Sequence, residues 1–320
     1  MHPVESDSYV IATLALQDFV NVCLSWIRGN IGGALVPGLQ RIGKSCAVDY
    51  FVTNFREWMG DSVGVVSVEI ASHRTTSEGV FFYDLLKSMK RPTTKKSPED
   101  RRNLFLGRLV EIGGRSRLKK IAIIIDEAQE LDYFLFKLLV SVHNDMERLF
   151  KIKCVWILVG QPELAAFPTV YIASGKRQIL GRFMADIFTF LPLTDITDFA
   201  AALKCFDEKL FFPADGPSYT AHFAPGPSAA GWTLASEAGV LWQGVVDART
   251  KMGLPQNSGM TMKGFTQLVN RLMIYALPSL AVGDHLTAKQ VEQAIDDTNC
   301  MIFEAQEALL STANSSPMSG

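Results

Sequence analysis

The chain has 320 residues, 48% hydrophobic and 20% charged, which is typical of a globular protein with one large or two moderate domains. Its formal net charge of -2 excludes a uniformly basic nucleic-acid binder but leaves room for a local basic patch. Five widely spaced cysteines argue against a disulfide framework or a zinc site, and the lack of a signal peptide or bilayer-length apolar run predicts a cytoplasmic protein with no membrane association.

Strand and helix patterns alternate over the first 192 residues. Helical spacing of apolar residues predicts a helix over residues 8–28. Short apolar runs rich in β-branched residues predict buried strands at residues 34–37, 63–70, 121–125, 154–159 and 187–191. Helices are predicted between them at residues 43–58, 78–90, 100–113 and 131–150. This alternation predicts an α/β fold with a parallel five-stranded sheet covered on both faces.

After Pro192 the pattern becomes helical. Helices are predicted at residues 194–211, 233–252, 261–277 and 287–311. Residues 212–232 hold four prolines and predict a loop or insertion. The expected domains are an N-terminal helical segment at 1–30, a core at 31–192, a small helical domain at 193–311 and a disordered tail at 312–320.

Residues 38–45, GLQRIGKS, match the phosphate-loop pattern G-x4-G-K-S between a predicted strand and a predicted helix. Glycines at both ends let the backbone wrap phosphate oxygens, Lys44 reaches the outer phosphates and the Ser45 hydroxyl ligates magnesium. The alternative is a chance match in a turn, but the strand, loop and helix occur in the required order. The residues predicted to hold the nucleotide here are Gly38, Gln40, Arg41, Ile42, Gly43, Lys44, Ser45 and Cys46.

A second motif follows the buried strand at 121–125, which ends in Asp126 and Glu127. In phosphate-loop enzymes the first acid holds magnesium and the second polarises the attacking water. The alternative is that these acids cap the next helix. Both motifs together predict an ATPase with ATP and Mg²⁺ as cofactors. Asp126 joins the nucleotide-binding set, Ser45 and Asp126 are the predicted magnesium ligands, and Glu127 is the predicted catalytic base.

Three sequence blocks, DEAQ at 126–129, VGQPEL at 159–164 and QILGRF at 178–183, resemble those of AAA+ ATPases. They are similar to those of the transposition regulators called TnsC or TniB, and they also resemble those of ATPases of the ExeA type. The resemblance covers about residues 10–192. It implies a P-loop domain with three α/β/α layers, followed by a small α-helical lid. A DEAD-type helicase is a poor alternative, because too few strands follow residue 192 to build a second sheet domain.

The same resemblance implies roles for two more catalytic residues. Gln161 stands at the sensor position, where it would orient water or contact the γ-phosphate, unless it merely begins a helix. Arg182 stands where the family has an arginine finger that enters the site of a neighbouring subunit, with Arg177 as the alternative. A surface salt bridge is the simpler interpretation of either arginine. Lys263 lies near the place of a second sensor cation, but a solvated helix face is the favoured interpretation.

Residues 87–120 hold 12 of the chain's 31 lysines and arginines. Such a cluster suits contact with a nucleic-acid backbone, which adds affinity without reading sequence. A solvated helix face is the alternative, but the resemblance implies that this region tracks DNA. The predicted DNA contacts are Lys95, Lys96, Arg101 and Arg102.

The resemblance implies an ATP-dependent regulator of DNA transposition. Its expected partners are double-stranded DNA, further copies of itself in a ring or helical filament of six or seven subunits per turn, a transposase and a target-selection protein of the TniQ type. ATP hydrolysis would control disassembly. A secretion-system ATPase and a helicase loader are the alternatives.

Overall fold

The structure is a computed structural model of the full chain, and it describes residues 1–73, 76–91, 93, 96–256, 258–302 and 304–306. The chain forms two compact units, which we describe separately. The sheet unit consists of Asp18–Leu39 and Lys44–Phe190. The helical unit consists of Met1–Gln17, Gln40–Gly43 and Leu191–Gly320. Neither unit is therefore continuous in the sequence.

The sheet unit contains a parallel sheet of five strands in the order β2-β3-β4-β1-β5. The strands are β1 Gly33–Pro37, β2 Gly64–Glu69, β3 Lys120–Asp126, β4 Lys153–Gly160 and β5 Asp186–Ile187. The α/β fold and the parallel five-stranded sheet predicted from the sequence are confirmed. Because β1 lies between β4 and β5, the loop that follows β1 emerges beside the carboxyl end of β4, where ligands of open α/β sheets bind.

Strand β5 is shorter than the predicted segment at 187–191. The extended backbone nevertheless continues beside β1, because the amides of Phe188 and Phe190 donate to the carbonyls of Leu35 and Pro37, both at 2.9 Å. The position of the fifth strand was therefore predicted correctly, while its ladder is irregular.

Helices cover both faces of the sheet. They are α2 Leu14–Gly29, most of which belongs to the sheet unit, and α3 Lys44–Met59, α4 Glu78–Ser88, α5 Pro98–Arg115, α6 Tyr133–Arg148, α7 Phe167–Ala173 and α8 Arg177–Phe183. The short helix α1 Pro3–Ser6 belongs to the helical unit. Short 3₁₀ turns occur at Ala128–Glu130 and Pro162–Ala166. Trp156, Phe136 and Phe105 are fully buried in the core of this unit.

Local capping explains where two of the helices begin relative to their predicted positions. Helix α2 begins at Leu14 instead of residue 8, because the Thr13 hydroxyl accepts a hydrogen bond from the Leu16 amide at 3.2 Å. Helix α5 begins at Pro98 instead of residue 100, because Ser97 and Asp100 form a reciprocal capping box.

The helical unit is built from α9 Ile196–Glu208, α10 Tyr219–Phe223, α11 Pro225–Ala229, α12 Ala238–Met252, α13 Met262–Arg271 and α14 Ala288–Thr298, with short turns at Leu234–Glu237, Leu272–Ala276 and Leu277–Ser279. Its core includes Phe199, Phe206 and Phe265, all fully buried.

The prediction of a loop or insertion at 212–232 is correct only in part, because this segment contains the short helices α10 and α11. The aromatic side chains of this region pack in or against the core of the helical unit, and Tyr219 is buried there. The helix predicted at 287–311 is interrupted, since α14 ends at Thr298 and Asn299 is a left-handed C-cap with a φ of 49°. Helical residues resume at 302 and 304–306. The tail predicted at 312–320 lies outside the described residues.

Within the described ranges, no helix is both long enough and apolar enough to cross a bilayer.

Candidate functional site

The phosphate loop joins β1 to α3. At its start the Gly38 amide donates to the Gly160 carbonyl at 3.1 Å, which ties the loop to the end of β4. At its end Gly43 has a φ of 100°, a left-handed conformation that side chains with a Cβ adopt only under strain. The GKS segment therefore needs its glycine for backbone geometry.

Lys44 is the first residue of α3, and its side chain lies inside the loop. The ammonium group donates to the Gly38 carbonyl at 2.7 Å and to the Leu39 carbonyl at 2.5 Å. Only 9% of the residue is exposed. A nearly buried cation beside the N-terminus of a 16-residue helix makes this loop a place for phosphate groups.

Ser45 and Asp126 bring two oxygen atoms together at the carboxyl edge of the sheet. The Ser45 hydroxyl donates to Asp126 Oδ2 at 2.6 Å, and the Glu127 amide donates to Asp126 Oδ1 at 2.9 Å. Burial raises the pKa of Asp126 above its ordinary value, although these two hydrogen bonds oppose the rise. A hydroxyl and a desolvated carboxylate are the hard oxygen donors that Mg²⁺ prefers, so the pair fits this ion.

Glu127 follows β3 in a left-handed conformation, with a φ of 55°. Its carboxylate accepts a hydrogen bond from Gln129 Nε2 at 2.5 Å. Gln129 Oε1 in turn accepts from the backbone amide of Gln161 at 3.0 Å. The predicted base and the predicted sensor thus meet through Gln129, which the sequence did not single out.

Other residues predicted to bind the nucleotide differ in exposure. Gln40 and Arg41 are exposed, and Ile42 is 1% exposed. The Arg41 carbonyl accepts a hydrogen bond from the Lys263 amide at 3.2 Å, a contact within the helical unit. Cys46 is exposed in the first turn of α3, and partial burial of its sulfur raises the pKa of the thiol.

Comparison with known proteins agrees with this arrangement. A family model described as an AAA domain matches residues 28–167. The ORC2 protein of Aeropyrum pernix, in ADPNP–ADP complexes, has a similar structure with a TM-score of 0.50 and 13% identity, covering 92% of this chain and 71% of that chain. A Walker-type ATPase of Pyrococcus abyssi gives a TM-score of 0.53 and 14% identity, covering 93% of this chain and 76% of that chain.

The chain has the P-loop AAA+ fold. At such low identities the two solved structures support the fold alone, and the sequence matches none of the curated proteins compared with it. The AAA domain match, however, spans the phosphate loop, Asp126, Glu127 and Gln161. Together with the geometry of these residues, it identifies residues 28–167 as an AAA domain and the protein as an ATPase.

The sheet unit holds Arg182 and Arg177 at opposite ends of α8 and in different surroundings. Arg182 is half-buried, donates to the Gln178 carbonyl at 2.9 Å and lies 3.3 Å from Asn144 Oδ1. Arg177 is exposed, and no hydrogen bond or ion pair of its side chain is found among the described residues. A residue that enters a neighbouring subunit must reach solvent, so the exposure favours Arg177 and leaves Arg182 dependent on a side-chain rearrangement.

The candidate second-sensor residue Lys263 forms an ion pair within the helical unit. Its ammonium group pairs with Asp7 at 2.7 Å within the helical unit. Both side chains are about half exposed, at 45% and 41%. The contact agrees with the solvated-face interpretation of Lys263.

Two of the four residues predicted to contact DNA form hydrogen bonds or ion pairs within the sheet unit. Arg101 donates to the Gly79 carbonyl at 2.7 Å and lies over the ring of Tyr83, 5.4 Å from its centroid. Arg102 pairs with Asp145 at 2.5 Å. Lys96 is exposed, and Lys95 lies outside the described residues.

Lys96 belongs to a group of cations in the same segment that are better exposed than Arg101 and Arg102. They flank the connection between α4 and α5, and no ion pair of any of them is found in the described part of the chain. We call this group the exposed basic cluster; it consists of Lys87, Lys90, Arg91 and Lys96. The sequence placed these residues in the basic segment, but exposure and ion pairing, which separate them from Arg101 and Arg102, depend on the fold.

Proposed function

We propose that this AAA+ ATPase is an ATP-dependent, DNA-binding regulator of transposition. It assembles on double-stranded DNA and links a target-selection protein of the TniQ type to a transposase, and ATP hydrolysis controls disassembly. The observation that carries the ATP-dependent part is the Ser45–Asp126 hydrogen bond beside the Lys44 ammonium group. The sequence blocks shared with TnsC and TniB support the link to transposition.

Each residue of the site has a role in this proposal. Lys44 and the loop amides hold the outer phosphates, and Gln161 contacts the γ-phosphate or the attacking water. Ser45 and Asp126 would hold Mg²⁺, which neutralises charge on the phosphate oxygens when bound. Glu127 accepts a proton from the attacking water, because it is the acid next to the magnesium ligand and its carboxylate is fixed by Gln129.

The exposed basic cluster supplies the DNA contact in this proposal. Its side chains are free to pair with phosphates, whereas Arg102 would first have to leave Asp145. Contacts of this kind bind any sequence, which suits a protein whose target is chosen by a partner. Lys95 remains a DNA contact that is predicted from the sequence. The cytoplasmic location likewise remains a prediction.

Charge reversal of the cluster tests the DNA contact. We expect the triple variant Lys87→Glu, Lys90→Glu and Lys96→Glu to bind duplex DNA more weakly while it hydrolyses ATP normally without DNA. Each lost phosphate contact should lower the slope of log affinity against log salt concentration by about 0.9. Fluorescence anisotropy with labelled duplex at several salt concentrations measures this slope.

The matched control reverses three exposed lysines of the helical unit, Lys204, Lys209 and Lys289. The change in net charge is the same, so an equal loss of affinity in both variants would show that only overall charge matters. An unchanged salt slope in the cluster variant would remove the cluster from the DNA surface.

The arginine finger can be tested in assembled protein. Arg182→Ala is expected to keep ATP binding but to lose ATPase activity, because the finger acts on the site of the next subunit. Mixing it with inactive Glu127→Gln subunits should restore part of the activity, since each defect then lies on a different side of a shared site. If Arg177→Ala behaves this way and Arg182→Ala hydrolyses ATP normally, the finger is Arg177.

The assembly state tests the proposed function as a whole. With a non-hydrolysable ATP analogue and duplex DNA, electron microscopy should show rings or helical filaments, which should be rare without DNA. A preference for single-stranded DNA together with a helicase would support a helicase loader instead. Binding to membrane vesicles without any affinity for duplex DNA would support a secretion-type ATPase.

A further inference from the structure

Gln129 connects the two sides of the catalytic site. Its amide nitrogen donates to Glu127 Oε2 at 2.5 Å, and its amide oxygen accepts from the Gln161 backbone nitrogen at 3.0 Å. One planar amide group thus links the end of β3 to the end of β4. A carboxylate side chain could accept from Gln161 but, when ionised, has no proton to donate to Glu127.

Gly160 leaves the space that the Gln129 amide occupies. A Cβ atom placed on Gly160 would lie 2.4 Å from Gln129 Oε1 and 3.1 Å from the Gln129 backbone nitrogen. Side chains do not tolerate the first of these distances. The residue before Gln161 is therefore compatible with the bridge only because it is glycine.

The turn that carries Gln129 is well fixed. It belongs to the 3₁₀ turn Ala128–Glu130, where Ala128 is fully buried and the Glu130 amide donates to the Glu127 carbonyl at 3.1 Å. Backbone and side-chain contacts together therefore determine the direction of the Glu127 carboxylate.

We propose that Gln129 is a positioning residue for ATP hydrolysis. It holds the Glu127 carboxylate in the orientation needed to accept a proton from water, and it couples that orientation to the strand end at Gln161. The same strand end accepts the first amide of the phosphate loop through the Gly160 carbonyl. A shift of the loop is thereby transmitted to the base through a short series of hydrogen bonds. This inference rests on the proposed role of Glu127.

Two variants of Gln129 separate its two hydrogen bonds. Gln129→Met keeps the approximate length of the side chain and removes both bonds, while Gln129→Glu keeps an acceptor for Gln161 and removes the donor to Glu127. Both are expected to lower kcat about 10- to 100-fold, the usual effect of losing an outer hydrogen bond to an active-site ligand. The Kd for a fluorescent ATP analogue should change less than about twofold, because the phosphate loop and Lys44 are untouched.

Hydrogen exchange gives a readout that does not depend on turnover. The Gln161 amide should exchange faster in Gln129→Met and near the wild-type rate in Gln129→Glu. Glu130→Gln is the matched control on the same turn, and it should leave kcat and Gln161 exchange unchanged. A loss of kcat in Gln129→Met alone would mean that only the backbone contact matters, which overturns the positioning role.

A double-mutant cycle tests the same idea through Gly160. Gly160→Ala should displace the Gln129 amide and lower kcat to about the level of Gln129→Ala. The double variant should then be no slower than either single variant, because both changes remove one interaction. Multiplying effects would contradict the bridge.

Two results distinguish failure of this inference from failure of the proposed site. Wild-type kcat in both Gln129→Met and Gln129→Glu, together with an inactive Glu127→Gln, overturns the role of Gln129 and leaves the base in place. A fully active Glu127→Gln overturns the base itself and the inference with it. A large loss of ATP-analogue affinity in both Gln129 variants, but not in Glu130→Gln, shows a role in folding of the site instead of positioning.

Discussion

Replacing Lys44 with alanine should abolish nucleotide binding and, with it, ATP hydrolysis. The nearly buried ammonium group lies among the carbonyls of the phosphate loop, so its loss removes the cation at the centre of the loop. A hydrogen bond to a charged group contributes about 1.5–3 kcal/mol, and Lys44 has the capacity to make more than one to a triphosphate. We therefore expect affinity for a fluorescent ATP analogue to fall at least about 100-fold, as measured by titration.

The control for this variant is Lys289→Ala, which removes an exposed lysine from α14. It should bind the analogue like the wild type. Thermal unfolding should show that Lys44→Ala is still folded, because water can satisfy the Gly38 and Leu39 carbonyls to which the ammonium group donates. Normal binding by a folded Lys44→Ala would show that the loop does not hold the nucleotide.

Replacing Glu127 with glutamine should separate nucleotide binding from hydrolysis. The amide keeps the shape of the side chain but does not accept a proton from water, and a general base contributes about 10²- to 10⁴-fold to the rate. We expect kcat to fall by that factor while the Kd for ATP stays near the wild-type value. Phosphate release and analogue titration measure the two quantities.

The same variant should also leave the assembly on DNA for longer. If hydrolysis drives disassembly, rings or filaments of Glu127→Gln formed with ATP and duplex DNA should persist while the wild type dissociates. Glu163→Gln is a suitable control, since this exposed glutamate lies in the 3₁₀ turn that follows Gln161. Wild-type turnover in Glu127→Gln would remove Glu127 from the role of base, and rapid disassembly despite lost turnover would remove hydrolysis from the control of assembly.

The elements that were predicted well have a local physical cause. Strands β3 and β4 are continuous apolar runs because both faces of a parallel sheet are covered, and such runs are visible in the sequence. The phosphate loop was equally visible, since the spacing of its glycines and lysine is set by the backbone geometry around a phosphate. The coarse architecture could therefore be predicted, and the phosphate loop was found where the sequence predicted it, between β1 and α3.

The parts that were missed depend on contacts between distant residues. Gln129 reaches Gln161 over 32 positions, and Arg102 reaches Asp145 over 43. No local pattern indicates either contact. The predicted DNA contacts consequently included Arg101 and Arg102, which have partners within the sheet unit, beside Lys96, which is exposed.

The left-handed backbone conformation of Glu127 lowers the stability of the protein, while the proposed hydrolysis requires the carboxylate at the same position. Holding a residue other than glycine in this conformation costs about 1–2 kcal/mol, and glycine would remove that cost together with the carboxylate. Selection for a more stable protein alone would therefore favour inactive sequences here. With Glu127 as the proposed base, a protein that hydrolyses ATP has to keep this cost, whereas a protein that only binds ATP could lose it.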